Sequence, residues 1–216
     1  SDDLYYAKAV AEHLKIDLEI IEANPNLIEQ IDEMIFDLEE PQTDFAPLFV
    51  KAIAKKAKAK GFDVLFSGTG ADDIFSGYRR HVAIMHEKTI EKIPTFLRKT
   101  INVSAQYLPE NNQSRRIKKI AESIDKNSFE RMVSYFFWTD KAIAFSLFTP
   151  AIQSKIEEDT IENNFKNLLK SIPQELHPLN KLLHLEMNSF LPNHNLNYSD
   201  KMGMAESVEI RVPYLD

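Results

Sequence analysis

The residues best suited to chemistry lie in one short segment, where small residues follow an apolar run. Phe62–Phe66 is long enough for a strand buried on both faces, and Ser67–Ala71 turns the chain into a helix that starts near Asp72. Backbone amides at such a junction point outward and can bind a phosphate, at the edge where open α/β sheets hold ligands. Gly68 and Gly70 let the backbone approach closely. The segment therefore predicts a phosphate-binding loop.

Two acidic residues, Asp72 and Asp73, follow this loop directly. Carboxylates beside a phosphate repel it unless a cation lies between them, and Mg²⁺ commonly shares its oxygen ligands with substrate phosphates. Either residue could hold Mg²⁺. Alternatively, both only place negative charge on the first turn of a helix, which stabilises it by about 0.3–1 kcal/mol. The segment matches neither a Walker A loop nor a dinucleotide fingerprint.

A second group of charged residues lies at the end of the chain, among Met, Val and Ile. Its members are Asp200, Lys201, Glu206, Glu209, Arg211 and Asp216. The charged groups thus occur at regular points on a partly buried frame. On the residues alone, however, a solvated helix with an extended exit to Pro213 is the favoured interpretation.

Composition excludes several function classes. The 216 residues carry 26 Lys and Arg against 33 Asp and Glu, a net charge of −7 that argues against a nucleic-acid binder. No apolar run approaches the roughly 20 residues that span a membrane, and no secretory signal is recognisable. With no cysteine, disulfides, thiolate metal sites and a Cys nucleophile are excluded. We expect a soluble, cytoplasmic protein.

Helical periodicity and short apolar runs predict the elements that position these residues. The expected elements are a helix over 2–14, a strand over 18–21, a helix over 27–38, a helix over 45–60 and a strand over 62–66. Helices between strands favour a parallel sheet. Further along, helical periodicity dominates, and a total of five glycines fits a mostly helical chain. We predict an α/β part over residues 1–80, which carries the loop, and a mostly helical part over 81–216.

Other features have simpler interpretations. The basic cluster Arg79–His81 either binds phosphate or forms a solvated helix face. The lysines of Lys51–Lys60 predict a solvent-exposed helix face. Pro109–Arg116 is the expected exposed loop. An aromatic stripe predicts core packing, or else a face for a missing domain. The stripe consists of Phe129, Val133, Phe136, Phe137 and Trp138.

Together the two charged segments resemble asparagine synthetases. SGTGADDIFSGYRRH is similar to the pyrophosphate loop of that family, and DKMGMAESVEIRVPYLD to a segment that follows it. The N-terminal SDDLYYAKAVAEHLKIDLEII and the acidic-Pro segment Glu40–Asp44 also resemble family segments. The resemblance covers nearly the whole chain, although residues 82–180 match only in being helical.

The resemblance implies the synthetase domain of a glutamine-dependent asparagine synthetase. Its fold would be that of the adenine-nucleotide alpha-hydrolases (PP-loop ATPases), with the parallel sheet truncated in this chain. In that family ATP adenylates the side-chain carboxylate of aspartate, and pyrophosphate leaves. Ammonia from a glutaminase domain then attacks the β-aspartyl-AMP to give asparagine. The implied ligands are therefore ATP, Mg²⁺, aspartate and ammonia.

The resemblance also implies roles for individual residues in the loop. Ser67 and Gly68 would contact the nucleotide, and Gly70 would keep the loop close to the pyrophosphate. Asp73 would belong to the nucleotide-binding set, and Asp72 would be the Mg²⁺ ligand.

Catalytic positions are implied in both segments. Lys201, Glu209 and Arg211 match charged positions of the second motif, where we expect them to bind substrate or hold the site together. Thr69 replaces the Glu of the family's SGEG pattern, a residue implicated in amidation. A related ligase that adenylates another carboxylate therefore stays an alternative, as does a non-catalytic binding module that kept the loop.

Other family segments lie outside these 216 residues. They are the glutaminase domain, the S-G-G-x-D-S nucleotide loop and a lysine-bearing segment beyond Asp216. We therefore expect a fragment that does not synthesise asparagine alone. The sequence leaves the oligomeric state open, a homodimer included.

Overall fold

A computed structural model describes residues 2–22, 27–42, 44–109, 111–137, 139, 141–156 and 160–216. Over these residues the chain is a mostly helical α/β structure with a small parallel sheet, as predicted. None of the described helices is both long and apolar enough to cross a membrane.

The elements follow one another in this order. They are α1 (Asp2–Leu14), α2 (Ile31–Leu38), α3 (Ala46–Ala59), β1 (Val64–Phe66), α4 (Ala71–Phe75), α5 (Arg79–Met85), α6 (Glu87–Glu91), α7 (Thr95–Gln106), α8 (Asn112–Asp125), α9 (Ser128–Ser134), α10 (Lys141–Ser146), α11 (Pro150–Gln153), α12 (Thr160–Lys170), α13 (Pro178–Leu185), α14 (Asn197–Ala205) and β2 (Glu209–Arg211). Short 3₁₀ turns occupy Leu27–Gln30 and Pro213–Leu215, and a π-helix spans Glu186–Leu196.

The chain forms two compact units. The first contains residues 1–67, 196–214 and 216, and the second contains residues 68–195 and 215. The division into 1–80 and 81–216 concerns helix and strand content, and it stays a prediction.

The first unit is built on α2, α3 and α14, whose contact is a small apolar core. Met34, Leu38, Leu48 and Met202 form this core, and each is almost fully buried. Helix α2 ends at Leu38, and Glu39 follows with a left-handed φ of 58°, shortly before Pro41. Helix α3 ends at Ala59, and Gly61 follows with φ 85°, the left-handed conformation that favours glycine after a helix.

One strand prediction in the first unit is wrong, and a second is wrong only in the burial that it expected. Residues 18–21 pair with no strand in the described part of the chain, and without a partner an apolar run forms no sheet. The second run does form β1, but Phe66 is 74% exposed. A parallel strand is buried on both faces only where helices cover the sheet, and the described residues supply a sheet of two strands.

The second unit has its own apolar core, between α5, α9, α12 and α13. Its buried members are Ile84, Met132, Val133, Phe165, Leu182 and Leu185. Phe129, Phe136 and Phe137 pack against them, which confirms the core interpretation of the aromatic stripe. Trp138 lies outside the described residues.

Two surface predictions hold only in part. The lysines of α3 are exposed except Lys51, whose ammonium pairs with Glu33 and Asp37 of α2. The predicted loop at 109–116 is shorter than expected, because α8 begins at Asn112. Asn111 caps that helix, since its side chain accepts a hydrogen bond from the Ser114 amide at 2.8 Å.

Candidate functional site

The strand that leads into the loop is paired with the second motif. In the parallel sheet Val64 lies opposite Glu209, and Phe66 lies opposite Arg211. The Ser67 amide continues the ladder and donates to the Arg211 carbonyl at 2.8 Å. Strand β1 and the second motif are thus neighbours in the first unit, although residues 68–195 separate them in sequence.

The surroundings of the two loop glycines differ, and only one of the two positions requires glycine for the fold. Gly70 has φ 90°, and a Cβ there would lie 2.8 Å from the Leu215 side chain, so the fold itself requires glycine. At Gly68 φ is outside the left-handed region, and a Cβ would meet none of the described residues within 4 Å. The Ala71 amide donates to the Gly68 carbonyl at 3.2 Å, which closes the turn. The Gly68 side of the loop is therefore open to a ligand.

The two acidic residues after the loop face different surroundings. Both lie in the first turn of α4, but Asp72 is exposed and Asp73 is completely buried. The Asp72 carboxylate lies against Gly77, where any Cβ would overlap it. Asp73 Oδ2 accepts hydrogen bonds from the Tyr78 hydroxyl at 3.1 Å and from Asn195 Nδ2 at 3.3 Å. Only Asp72 of the pair is placed to meet a ligand from solvent.

The acidic residues fit one mode of Mg²⁺ binding. Among the described residues, no three His, Cys, Asp or Glu side chains are placed to hold a metal ion together. Mg²⁺ is usually held by one or two carboxylates, with waters and substrate phosphates filling its other positions. A single exposed carboxylate at Asp72 fits this shared mode, and it does not fit a site made by protein ligands alone.

Tyr78 is held as a hydrogen-bond donor. Burial raises the pKa of its hydroxyl well above the ordinary value, and the neighbouring Asp73 carboxylate raises it further. Asn195 Nδ2 donates to the Tyr78 oxygen at 3.2 Å. The hydroxyl therefore keeps its proton and directs it to Asp73.

The basic cluster after the loop splits between surface and interior. Arg79 is exposed, but His81 is almost fully buried, so neither the phosphate nor the solvated-face interpretation describes it. Its Nδ1 accepts the Tyr78 amide at 3.3 Å, and its Nε2 lies 2.6 Å from a carboxylate oxygen of Glu186. Because Nδ1 is an acceptor, Nε2 carries the proton and donates to Glu186. Arg80 donates to the same carboxylate through Nε.

Sequence reasoning missed Glu186 and Asn195, the two buried polar residues of the π-helix. Pro192 inside an otherwise helical run was the available signal that the α-helical pattern is interrupted there.

The charged residues of the second motif make separate contacts in the first unit. Lys201 Nζ donates a hydrogen bond to the Leu38 carbonyl, and it also lies 3.2 Å from Glu39 Oε2. Lys201 therefore caps the C-terminus of α2. An open cavity of about 590 Å³ lies beside it. Glu209 and Arg211 form an ion pair at 2.8 Å with both side chains more than half exposed.

The solvated-helix interpretation of this motif is wrong for α14. Ser199, Met202 and Gly203 are buried, and a Cβ at Gly203 would lie 2.7 Å from the Val208 carbonyl oxygen. The helix packs on α2 and α3 and turns tightly into β2. Its buried face therefore belongs to the framework of the first unit.

Comparison with known proteins identifies relatives of the chain. The chain is 25% identical over 187 residues to asparagine synthetase [glutamine-hydrolyzing] 1 of Bacillus subtilis, covering 87% of this chain and 28% of the relative. It is 23% identical over 235 residues to amidase chyE of Penicillium rubens, covering 100% of this chain and 34% of that relative. A putative asparagine synthetase of Mycobacterium tuberculosis is 25% identical over 189 residues, covering 86% and 27%. The chain thus spans about a third of the length of these relatives.

No solved structure matches the chain. The family model described as asparagine synthase, in contrast, matches residues 1–216, and this range contains both motifs on which the resemblance rests. The chain belongs to the asparagine synthase family.

Proposed function

We propose that the chain holds the pyrophosphate in an ATP-dependent amide-forming ligase. In the reaction, ATP adenylates the side-chain carboxylate of aspartate, and ammonia derived from glutamine then gives asparagine. The sheet would be part of a PP-loop ATPase fold, with residues 1–80 as its α/β part. The observation that carries the proposal is the loop at Gly68, which is open to a ligand and lies on the same short segment as the exposed Asp72.

The first chemical step places a specific demand on this loop. A carboxylate oxygen attacks the α-phosphorus of ATP, and the bond between that phosphorus and the bridging oxygen breaks. Negative charge then grows on the departing pyrophosphate, and fixed donors aimed at that charge lower the barrier. A turn whose one face is open can bring its amides within hydrogen-bond distance of the phosphates.

Some loop groups are already engaged, which narrows the proposed roles. The Ser67 amide donates to the Arg211 carbonyl, so this amide is already used within the sheet. Helix α4 has five residues, so its dipole is weak, and the amides around Gly68 carry the binding instead. Gly70 shapes the turn that presents them. Asp73 supports the loop from inside the second unit.

Asp72 is the residue that would hold Mg²⁺, jointly with the phosphates. When bound, the ion would supply positive charge that neutralises the leaving pyrophosphate. In the second motif, the Glu209–Arg211 pair is exposed, and such pairs contribute at most about 1 kcal/mol. We propose that either residue exchanges its partner for substrate at little cost, while Lys201 holds α2.

A second candidate function has its own observation. Thr69 presents a hydroxyl where the family pattern has a carboxylate, and a hydroxyl is no proton acceptor near neutral pH. One relative, chyE of Penicillium rubens, is named an amidase and aligns with the full length of the chain. A ligase that adenylates a different carboxylate therefore remains the alternative to an asparagine synthetase.

The proposal is tested by calorimetric binding of inorganic pyrophosphate to the 216-residue chain, with and without Mg²⁺. We expect binding that requires Mg²⁺ and is lost in Asp72→Ala. The matched control is Glu91→Ala, which removes an exposed carboxylate from the same unit outside the loop. Absence of binding in every condition would support the non-catalytic module and reject the proposal. Pyrophosphate release from ATP in the presence of aspartate or other carboxylates then separates the two ligases.

A further inference from the structure

The π-helix Glu186–Leu196 directs its two buried polar residues at one short segment of the second unit. Glu186 binds Arg80 and His81, and Asn195 binds Asp73 and Tyr78. The contacted segment runs from α4 to α5, directly after the phosphate-binding loop. It is thus held at both ends by the same helix.

Phe190 fills the space between these two polar anchors. The Arg80 guanidinium lies 4.7 Å from the centre of its ring and 4.0 Å from the centre of the Tyr78 ring. The Tyr78 and Phe190 rings also meet edge to face, 6.4 Å apart. Three residues of the π-helix therefore make one continuous contact with residues 73–81.

The wide turn of the π-helix is what allows this contact. In an α-helix each residue advances about 100°, so residues nine apart, such as Glu186 and Asn195, point in opposite directions. Hydrogen bonds from i to i+5 widen the turn to about 4.4 residues, and nine residues then return to within about 20° of the starting direction. Glu186, Phe190 and Asn195 share one face only in the π-helical form.

The segment that they hold contains a turn that needs support. Ser76 has a left-handed φ of 64°, which is unfavourable for a residue other than glycine. Gly77 follows, and the Asp72 carboxylate occupies the space that a Cβ on Gly77 would need. Asp73 and Tyr78 lie on either side of this turn, and Asn195 binds both. The position of Asp72 therefore depends on the contacts of Asn195.

The network is not arranged for stability alone. Asp73 Oδ1 and Arg80 Nη2 are buried and have no hydrogen-bond partner among the residues that the structure describes. Buried polar atoms without a partner cost free energy, and networks built only to stabilise a core satisfy them.

We propose that the π-helix is the positioning element of the phosphate loop. Asn195 and Glu186 fix the turn between Asp73 and His81 and thereby orient Asp72 and the adjoining amides toward pyrophosphate. These two are positioning residues, because they act through the turn and not on the ligand. The inference rests on the proposed function for the identity of the ligand.

The test compares Asn195→Ala and Tyr78→Phe with wild type in Mg²⁺-dependent binding of inorganic pyrophosphate, at a temperature where circular dichroism shows each variant folded. Tyr78→Phe removes only the hydroxyl that bridges Asp73 and Asn195, so it keeps the test valid if Asn195→Ala fails to fold. We expect affinity to fall about tenfold in either variant. Glu87→Gln is the control, since it weakens the buried Glu87–Arg131 pair of the same unit, and both residues lie outside 73–81. We expect it to lower the melting temperature and leave affinity within about twofold.

Hydrogen exchange supplies a readout that needs no ligand. The Ile74 amide donates to Gly70 and the Gly77 amide donates to Asp72, so both report on the turn. We expect faster exchange at these two amides in Asn195→Ala and unchanged exchange in Glu87→Gln. Wild-type affinity in both turn variants, or unchanged exchange, would overturn the positioning role while the proposed function stands. Failure of the wild-type chain to bind pyrophosphate would reject the proposed function and the positioning role together.

Discussion

Adding a side chain at Gly68 separates the needs of the fold from the needs of a ligand. A Cβ at this position meets no atom of the described part of the chain within 4 Å, and the φ of Gly68 does not require glycine. Gly68→Ala should therefore stabilise the protein by about 0.4–1 kcal/mol, because alanine restricts the unfolded chain. Gly68→Val adds bulk to the same open side and should change stability by less than about 1 kcal/mol.

Binding should respond in the opposite direction. A bound phosphate accepts charge-assisted hydrogen bonds from the loop amides, and a side chain on the open face holds its oxygens too far away. Loss of one such bond is worth about 1.5–3 kcal/mol, which weakens pyrophosphate affinity by about ten- to a hundredfold. Urea denaturation measures the first quantity, and calorimetry in Mg²⁺ measures the second.

Gly70→Ala is the matched control. It meets the Leu215 side chain and strains a residue with φ 90°, so it should destabilise the fold by about 1–3 kcal/mol. If Gly68→Val unfolds the chain, or binds pyrophosphate as tightly as wild type, the open side of Gly68 is not the ligand site.

Two further predictions address the second motif and the buried tyrosine. Lys201→Met removes the cap on α2, and denaturation should show a loss of about 1 kcal/mol with pyrophosphate affinity unchanged; an unchanged stability would contradict the capping role. Because the pKa of Tyr78 is raised in the folded state, its hydroxyl is protonated in both folded and unfolded chains below pH about 10 and adds no pH dependence there. Above that pH the unfolded chain loses the Tyr78 proton first, so the free energy of unfolding should fall more steeply with pH in wild type than in Tyr78→Phe. Urea denaturation at pH 9 to 11 measures this difference, and parallel curves for the two proteins would contradict the raised pKa.

Local chemistry made part of this structure predictable from sequence. Gly61 marks the end of α3, and the run before Ser67 marks a strand, because both signals act within a few residues. The exposure of Phe66 was not predictable, since burial depends on what covers the sheet.

The roles of the two acidic residues were also beyond the sequence pattern. Asp72 and Asp73 are adjacent, so spacing treats them alike, and only the distant Asn195 shows which one faces inward. The sequence pattern did not predict that Asn195 and Glu186 act together, because an α-helical period places them on opposite faces. The π-helical turn brings both onto one face, and patterns with a period of 3.6 do not register it.

The pairing of β1 with β2 has a consequence for the order of folding. Residues 64–66 can pair only once residues 209–211 are made, and the ribosome adds these after residues 68–195 of the second unit. Contacts between such distant positions form late, because the intervening chain must first be brought into a closed loop. Once the second unit has collapsed around its own core it shortens that loop, so its early folding should speed the closure of the sheet.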